Sequence, residues 1–161
     1  MYVNSSGFCP IERQTGVNHN IIIQWVKKAV KPLADAPEYL EIPEITQVDE
    51  LETFVAKKNK IWLWTAVNKS CPGILAWVLG DFSAKTFEKL WGIIRCGKSY
   101  FYVTDGYAVY PCFIDDRDHI VKKTYMTRVE AENTRLRHYL ARLNRKTLCY
   151  SKSYRFFMKL R

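Results

Sequence analysis

Ile45-Thr-Gln-Val-Asp-Glu-Leu-Glu-Thr-Phe-Val55, followed by Ile61-Trp-Leu-Trp-Thr-Ala-Val-Asn68 and Gly73-Ile-Leu-Ala-Trp-Val-Leu-Gly80, decides the fold of this chain. The three runs are rich in Ile, Val, Trp and Thr, residues that suit a pleated, half-buried surface. The polar pieces between them, Lys57-Lys58-Asn59-Lys60 and Asn68 to Gly73, are short enough for hairpin connections, which predicts an antiparallel three-strand meander. The periodicity then changes. Ser83 stands as an N-cap before Phe87, Leu90, Trp91 and Ile94, which share one helical face, and Gly97 ends that helix. Tyr100 to Thr104 reads as a buried strand. A short segment at Tyr107 to Phe113, a strand at His119 to Lys123 and a long basic helix from about Thr127 to Arg145 complete the order βββαβαβα.

Three meander strands followed by alternating helices and strands match an α/β, ribonuclease-H-like mixed sheet over residues 45–161. Upstream, residues 32–44 carry Pro32, Pro37 and Pro43 with Asp35, Glu38, Glu41 and Glu44, the composition of a linker. Residues 1–31 read as a small helix-turn-helix segment. Phe8, Ile11, Val17, Ile21, Ile22, Trp25 and Val26 give the apolar spacing, Gly16 makes the break, and Asn18 or Asn20 supplies the N-cap. Pro10 is tolerated in a first helical turn, where its missing N–H has no partner to lose. His19, Asn20, Gln24, Lys27 and Lys28 then face outward on the second helix, where a DNA-reading helix needs polar side chains.

A length of 161 residues allows one substantial core, and 48% apolar with 14% aromatic residues argues for a packed globule. Charge is placed unevenly. His119 to Arg161 holds twelve Lys/Arg against two acidic residues, more than the whole net charge of +9, so the rest is nearly neutral. A basic excess confined to one segment points to a polyanion partner rather than a merely solvated face. The five cysteines, Cys9, Cys71, Cys96, Cys112 and Cys149, form no CxxC pair, which predicts neither a disulfide framework nor a zinc module but reduced, mostly structural thiols. The start lacks the basic and apolar regions of a signal peptide, and no apolar run reaches membrane-spanning length. A cytoplasmic protein without membrane contact is expected.

The chemistry is carried by carboxylates. Asp49 alternates onto the strand face of Ile45 and Leu51, an expensive place for an unpaired charge, whereas Glu50 and Glu52 fall on the other face and read as solvated. Asp105 ends the Tyr100 to Thr104 strand before Gly106, which serves an ordinary Asp-Gly turn as well as a cleft at a strand end. In the last helix Val129, Leu136, Leu140 and Leu143 make an apolar stripe. Glu130, Asn133, Thr134 and Arg137 flank it on one side and Glu132 on the other, so periodicity leaves Glu130 and Glu132 open. Carboxylates delivered by a strand, a strand end and a helix start are the hard oxygen ligands that divalent ions need in phosphoryl transfer.

Several blocks resemble the transposases of the insertion-sequence-one family of bacterial mobile elements. Gly7 to Val17 is similar to the family's helix-turn-helix. Val48 to Val55, Trp62 to Val67, Gly73 to Asp81 and Tyr102 to Tyr107 are similar to its catalytic strands, and Glu132 to Ser153 is the most specific block. The resemblance implies an Asp-Asp-Glu triad on a ribonuclease-H-like fold, carried by Asp49, Asp105 and Glu130. The 24 residues between Asp105 and Glu130 match the family's spacing, which selects Glu130 over Glu132. It further implies Mg²⁺ (or Mn²⁺) held by those three residues, and cleavage and strand transfer of an insertion sequence by metal-dependent phosphoryl transfer. Double-stranded DNA, as element ends and target, is the implied partner, and a homo-oligomer on DNA is the assembly to look for. The amino-terminal helices would read the element ends, and Arg135, Arg137, Arg142, Arg145 and Lys146 would contact the DNA backbone. Two departures bear on activity. The family's cysteine-rich zinc-binding segment precedes the point where this chain starts, and after Ser153 the sequence leaves the family's pattern as Tyr-Arg-Phe-Phe-Met-Lys-Leu-Arg. The expectation is a chain shortened at both ends, with a catalytically inactive DNA-binding remnant as the alternative.

Overall fold

The structure is a computed structural model that describes residues 6–30, 42–55 and 59–139. Two helices come first, α1 (Phe8–Thr15) and α2 (His19–Val30). Gly16 closes α1 in the left-handed conformation, φ 72°, and returns its N–H to the Glu12 carbonyl. Asn18, not Asn20, caps α2, its side-chain oxygen accepting the Asn20 N–H at 2.9 Å. Among the described residues of this pair, Ile11 and Ile22 are buried apolar residues. The linker expected at 32–44 lies outside the described residues up to residue 41.

The body is a five-strand mixed sheet: β1 (Ile45–Val55), β2 (Asn59–Asn68), β3 (Ile74–Gly80), β4 (Phe101–Thr104) and β5 (His119–Val121). The first three form the expected antiparallel meander, with Asp49 opposite Thr65 and Leu51 opposite Leu63. α3 (Ala84–Ile94) then carries the chain back so that β4 lies parallel to β1 on its other side, and β5 lies parallel to β4. The strand order is β3-β2-β1-β4-β5, an arrangement compatible with a ribonuclease-H-like fold. Ser83 occupies the N-cap position of α3, but its hydroxyl is donated to Asp81 rather than to the helix. The segment expected between β4 and β5 is a single 3₁₀ turn at Tyr110–Cys112. α4 runs over Thr127–Tyr139, and the remainder of the predicted helix, with Leu140 and Leu143, lies outside the described residues.

Alternation along β1 divides the core. Val48 joins Trp64, Ala66, Phe87, Leu90 and Tyr110 on the α3 side. Leu51 packs with Ile61, Leu63 and Leu79 against Leu136 of α4, and Val67 and Val103 pack with Met126 and Val129. Both faces of the sheet are therefore covered, which the apolar composition of β2 on both faces requires. Trp64, Phe87 and Leu90 are fully buried, each worth roughly 1.5–3 kcal/mol relative to exposure. The Trp64 indole N–H is satisfied by the Asp81 carbonyl at 3.0 Å.

Candidate active site

The parallel register of β1 and β4 builds the site. Gln47 pairs with Val103, and both strands alternate, so two residues further along Asp49 and Asp105 come side by side where β4 ends and β1 continues. Carboxylate oxygens of Asp49, Glu50 and Asp105 lie within 4.8 Å of one another, an arrangement able to hold a divalent ion. Asp105 also serves the turn, accepting the Tyr107 N–H at 3.1 Å, and Gly106 follows at φ 93°. The turn and the cluster are thus compatible roles of one residue.

Asp49 is positioned by α4. The Asn133 side-chain amide donates to its Oδ2 at 2.8 Å, and the Asn133 carbonyl oxygen accepts the Thr65 hydroxyl at 3.0 Å. Burial pushes the Asp49 carboxyl above its ordinary range, and the charges of Asp105 and Glu130 add to that rise. Glu130 is exposed in the first turn of α4, near enough for its charge to act on Asp49, although it is not among the three clustered carboxylates. Gln47, fully buried, fixes that turn. Its Oε1 accepts the Val129 N–H at 2.9 Å, and its amide donates to the Tyr125 carbonyl. One strand thereby carries both Asp49 and the residue that docks the helix bearing Glu130.

Glu132 plays a different part. It is buried, accepts the Gly73 N–H at 3.2 Å, and pairs with Arg128 at 3.6 Å and Arg135 at 3.2 Å. These contacts fasten α4 to the β2–β3 connection and leave Glu132 outside the carboxylate cluster. Arg135, expected at a DNA backbone, is engaged with Glu132 while remaining more than half exposed. Arg137 is half-buried on the same helix, and Arg142, Arg145 and Lys146 lie outside the described residues.

Two expectations are corrected. Glu50 is not a solvated strand charge: it is largely buried on the α3 side, accepts the Tyr110 hydroxyl, and is pushed up by burial to about 7. Burial likewise drives the Tyr110 phenol upward, so the proton of that bond stays on tyrosine. Simple alternation misjudged Glu50 because the 3₁₀ turn that covers it is distant in sequence. Glu52 is also mostly buried and pairs with Lys60 at 2.9 Å. Cysteines expected to be structural are largely at the surface, with Cys9, Cys96 and Cys112 exposed and free. Gln47 and Tyr110 were missed altogether; the available signal for Gln47 was a polar residue two places before Asp49 on the same strand face.

On the amino-terminal helices Asn20, Gln24, Lys27 and Lys28 are exposed. His19 is only half-exposed, and its Nδ1 lies 2.8 Å from Glu12 Oε2. Among the described residues no helix is long and apolar enough to cross a membrane.

The chain is a mixed α/β protein that presents clustered carboxylates beside a carboxylate-bearing helix. The family model described as IS1 transposase matches residues 44–160, and the chain belongs to that family. It is 33% identical over 108 residues to the insertion element IS1 protein InsB of Shigella flexneri, covering 66% of this chain and 82% of that protein. The insertion element IS1 2 protein InsB of Escherichia coli K12 is 32% identical over the same length, covering 66% of this chain and 65% of the relative. Thus the matched region spans just under two thirds of the E. coli relative. Family membership supports a transposase role.

Proposed function

We propose that this chain is a DNA transposase that cleaves element ends and transfers the freed strand into target DNA, with Asp49, Asp105 and Glu130 as its catalytic carboxylates. The observation that carries the reading is the approach of Asp49 and Asp105, 56 residues apart in sequence, beside the helix turn that bears Glu130, in a member of the IS1 transposase family. The donor set is all carboxylate oxygen, the chemistry that Mg²⁺ or Mn²⁺ prefers, and the crowding of negative charge at Asp49 is what a bound cation would relieve. Asp49, Asp105 and Glu130 would hold the metal. Bound there, it supplies activation of the attacking oxygen and stabilisation of the leaving oxygen in an in-line displacement.

The chain's own residues supply position. Asn133 keeps one Asp49 oxygen oriented, Gln47 holds the first turn of α4, and the Asp105-Gly106 turn fixes Asp105 at the end of β4. Residues 45–161 form the proposed ribonuclease-H-like catalytic domain, 32–44 the linker, and 1–31 a helix-turn-helix that reads element ends through Asn20, Gln24, Lys27 and Lys28. The basic residues from Arg135 to Lys146 contact DNA phosphates, and the partners are element-end and target duplexes. A strand-transfer assay on element-end DNA with Mg²⁺, comparing the chain with Asp49→Asn, tests the reading. Product from the unaltered chain alone supports it; end-binding without cleavage by both replaces it with a DNA-binding remnant.

A further inference from the structure

We propose that Cys9, Glu12 and His19 form a surface site for a zinc-type divalent ion that staples α1 to α2. One donor atom from each of the three residues lies within 4.8 Å of those of the other two. Cys9 and Glu12 stand three apart on α1, which places them on one helical face. The left-handed Gly16 then reverses the chain, so that His19, the first residue of α2, meets that face. Thiolate, carboxylate and imidazole are the sulfur, oxygen and nitrogen donors that zinc accepts together. Donors in a tetrahedral zinc site stand about 3.5 Å apart, so side-chain adjustments of about 1 Å close the set. Cys9 is exposed and the other two are partly exposed, which leaves the fourth position to water.

An ordinary explanation of the 2.8 Å His19–Glu12 contact is a partly exposed ion pair, worth about 0–1 kcal/mol. It accounts for neither the thiol nor the mechanical need. Helices of 8 and 12 residues are marginal alone, and on these two only Ile11 and Ile22 are buried apolar residues among those described. A metal bridging the helices adds its binding free energy to their docking, the usual remedy where the core is too small. The site contains sulfur and nitrogen donors, so it is chemically distinct from the all-oxygen carboxylate cluster and does not depend on the transposase reading.

The test is a titration of the reduced, full-length chain with CoCl₂ and then ZnCl₂, in excess Mg²⁺ to occupy the carboxylates. The expected result is one Co²⁺ per chain with a thiolate-to-cobalt charge-transfer band, bleached as Zn²⁺ displaces it. Cys9→Ser removes the band, and both Cys9→Ser and His19→Ala weaken zinc binding more than ~10-fold, while Cys96→Ser and Cys112→Ser change neither. Circular dichroism of each variant establishes that it remains folded. Absence of the band in the unaltered chain, its survival in Cys9→Ser, or full zinc affinity in His19→Ala overturns the proposal.

Discussion

The Glu50 carboxyl, largely buried beside Asp49 and Asp105 and accepting the Tyr110 hydroxyl, is raised from 4.5 to about 7, chiefly by desolvation. A carboxyl raised in the folded state makes the native protein bind the proton more tightly than the unfolded chain does. Its contribution is therefore fully present below the unfolded value and is lost as pH rises from 4.5 through about 7. Metal-free protein should lose up to about 3 kcal/mol across that window, because a tenfold change in proton affinity is worth about 1.4 kcal/mol. Glu50→Gln should flatten the dependence, which urea denaturation at pH 5 and pH 8 measures directly. Identical pH slopes for the two proteins would contradict the assignment. At the neighbouring residue, Asn133→Ala removes the donor to Asp49 and the acceptor for Thr65. A loss of about 1–3 kcal/mol is expected, together with a higher Mg²⁺ requirement for cleavage.

At the scale of elements, α4 is fastened at two points, by β1 and by the β2–β3 connection. Gln47 holds Val129 in its first turn, and Glu132 holds the Gly73 amide with Arg128 and Arg135. Replacing Gln47 by Leu leaves the buried Val129 N–H without its acceptor, a cost of about 1–3 kcal/mol that thermal melting should register. The two glutamates of α4 should separate cleanly in the same assays. Glu132→Gln weakens an ion-pair network and lowers the melting temperature while leaving the Mg²⁺ dependence of cleavage unchanged. Glu130→Gln, at an exposed position, spares stability and removes activity. Reversal of these two phenotypes would move the catalytic role to Glu132.

For the whole molecule, the concentration of positive charge after His119 predicts DNA binding that weakens steeply with salt, because each neutralised phosphate releases condensed counterions. Changing Arg142, Arg145 and Lys146 together to Ala should reduce the slope of log K against log salt by about 3 if each contacts one phosphate. Filter binding across a salt series gives that slope, and an unchanged value would remove these residues from the interface. If Asp105 is a metal ligand as proposed, Asp105→Asn should abolish cleavage with end-binding nearly intact, since the amide keeps the shape but lacks the charge that would hold Mg²⁺. Equal loss of binding and cleavage would instead indicate damage to the fold.

Much of the architecture was legible along the chain because its causes are local. Alternation in Ile45 to Gly80, the apolar face of Phe87 to Ile94 and the turn at Gly16 each depend on a few adjacent residues, and the corresponding strands, helix and turn are present. The basic segment was legible by simple count, whereas the choice of Glu130 over Glu132 came from the family resemblance and not from local pattern. What brings side chains together depended on pairings between distant segments. The β1–β4 register sets Asp49 beside Asp105, the 3₁₀ turn carrying Tyr110 buries Glu50, and reversal at Gly16 brings His19 to Cys9 and Glu12. Alternation assigns a residue to a face but says nothing of what covers that face. The burial of Glu50, the cap supplied by Gln47 and the approach of three donors across two helices were therefore decided only by the tertiary structure.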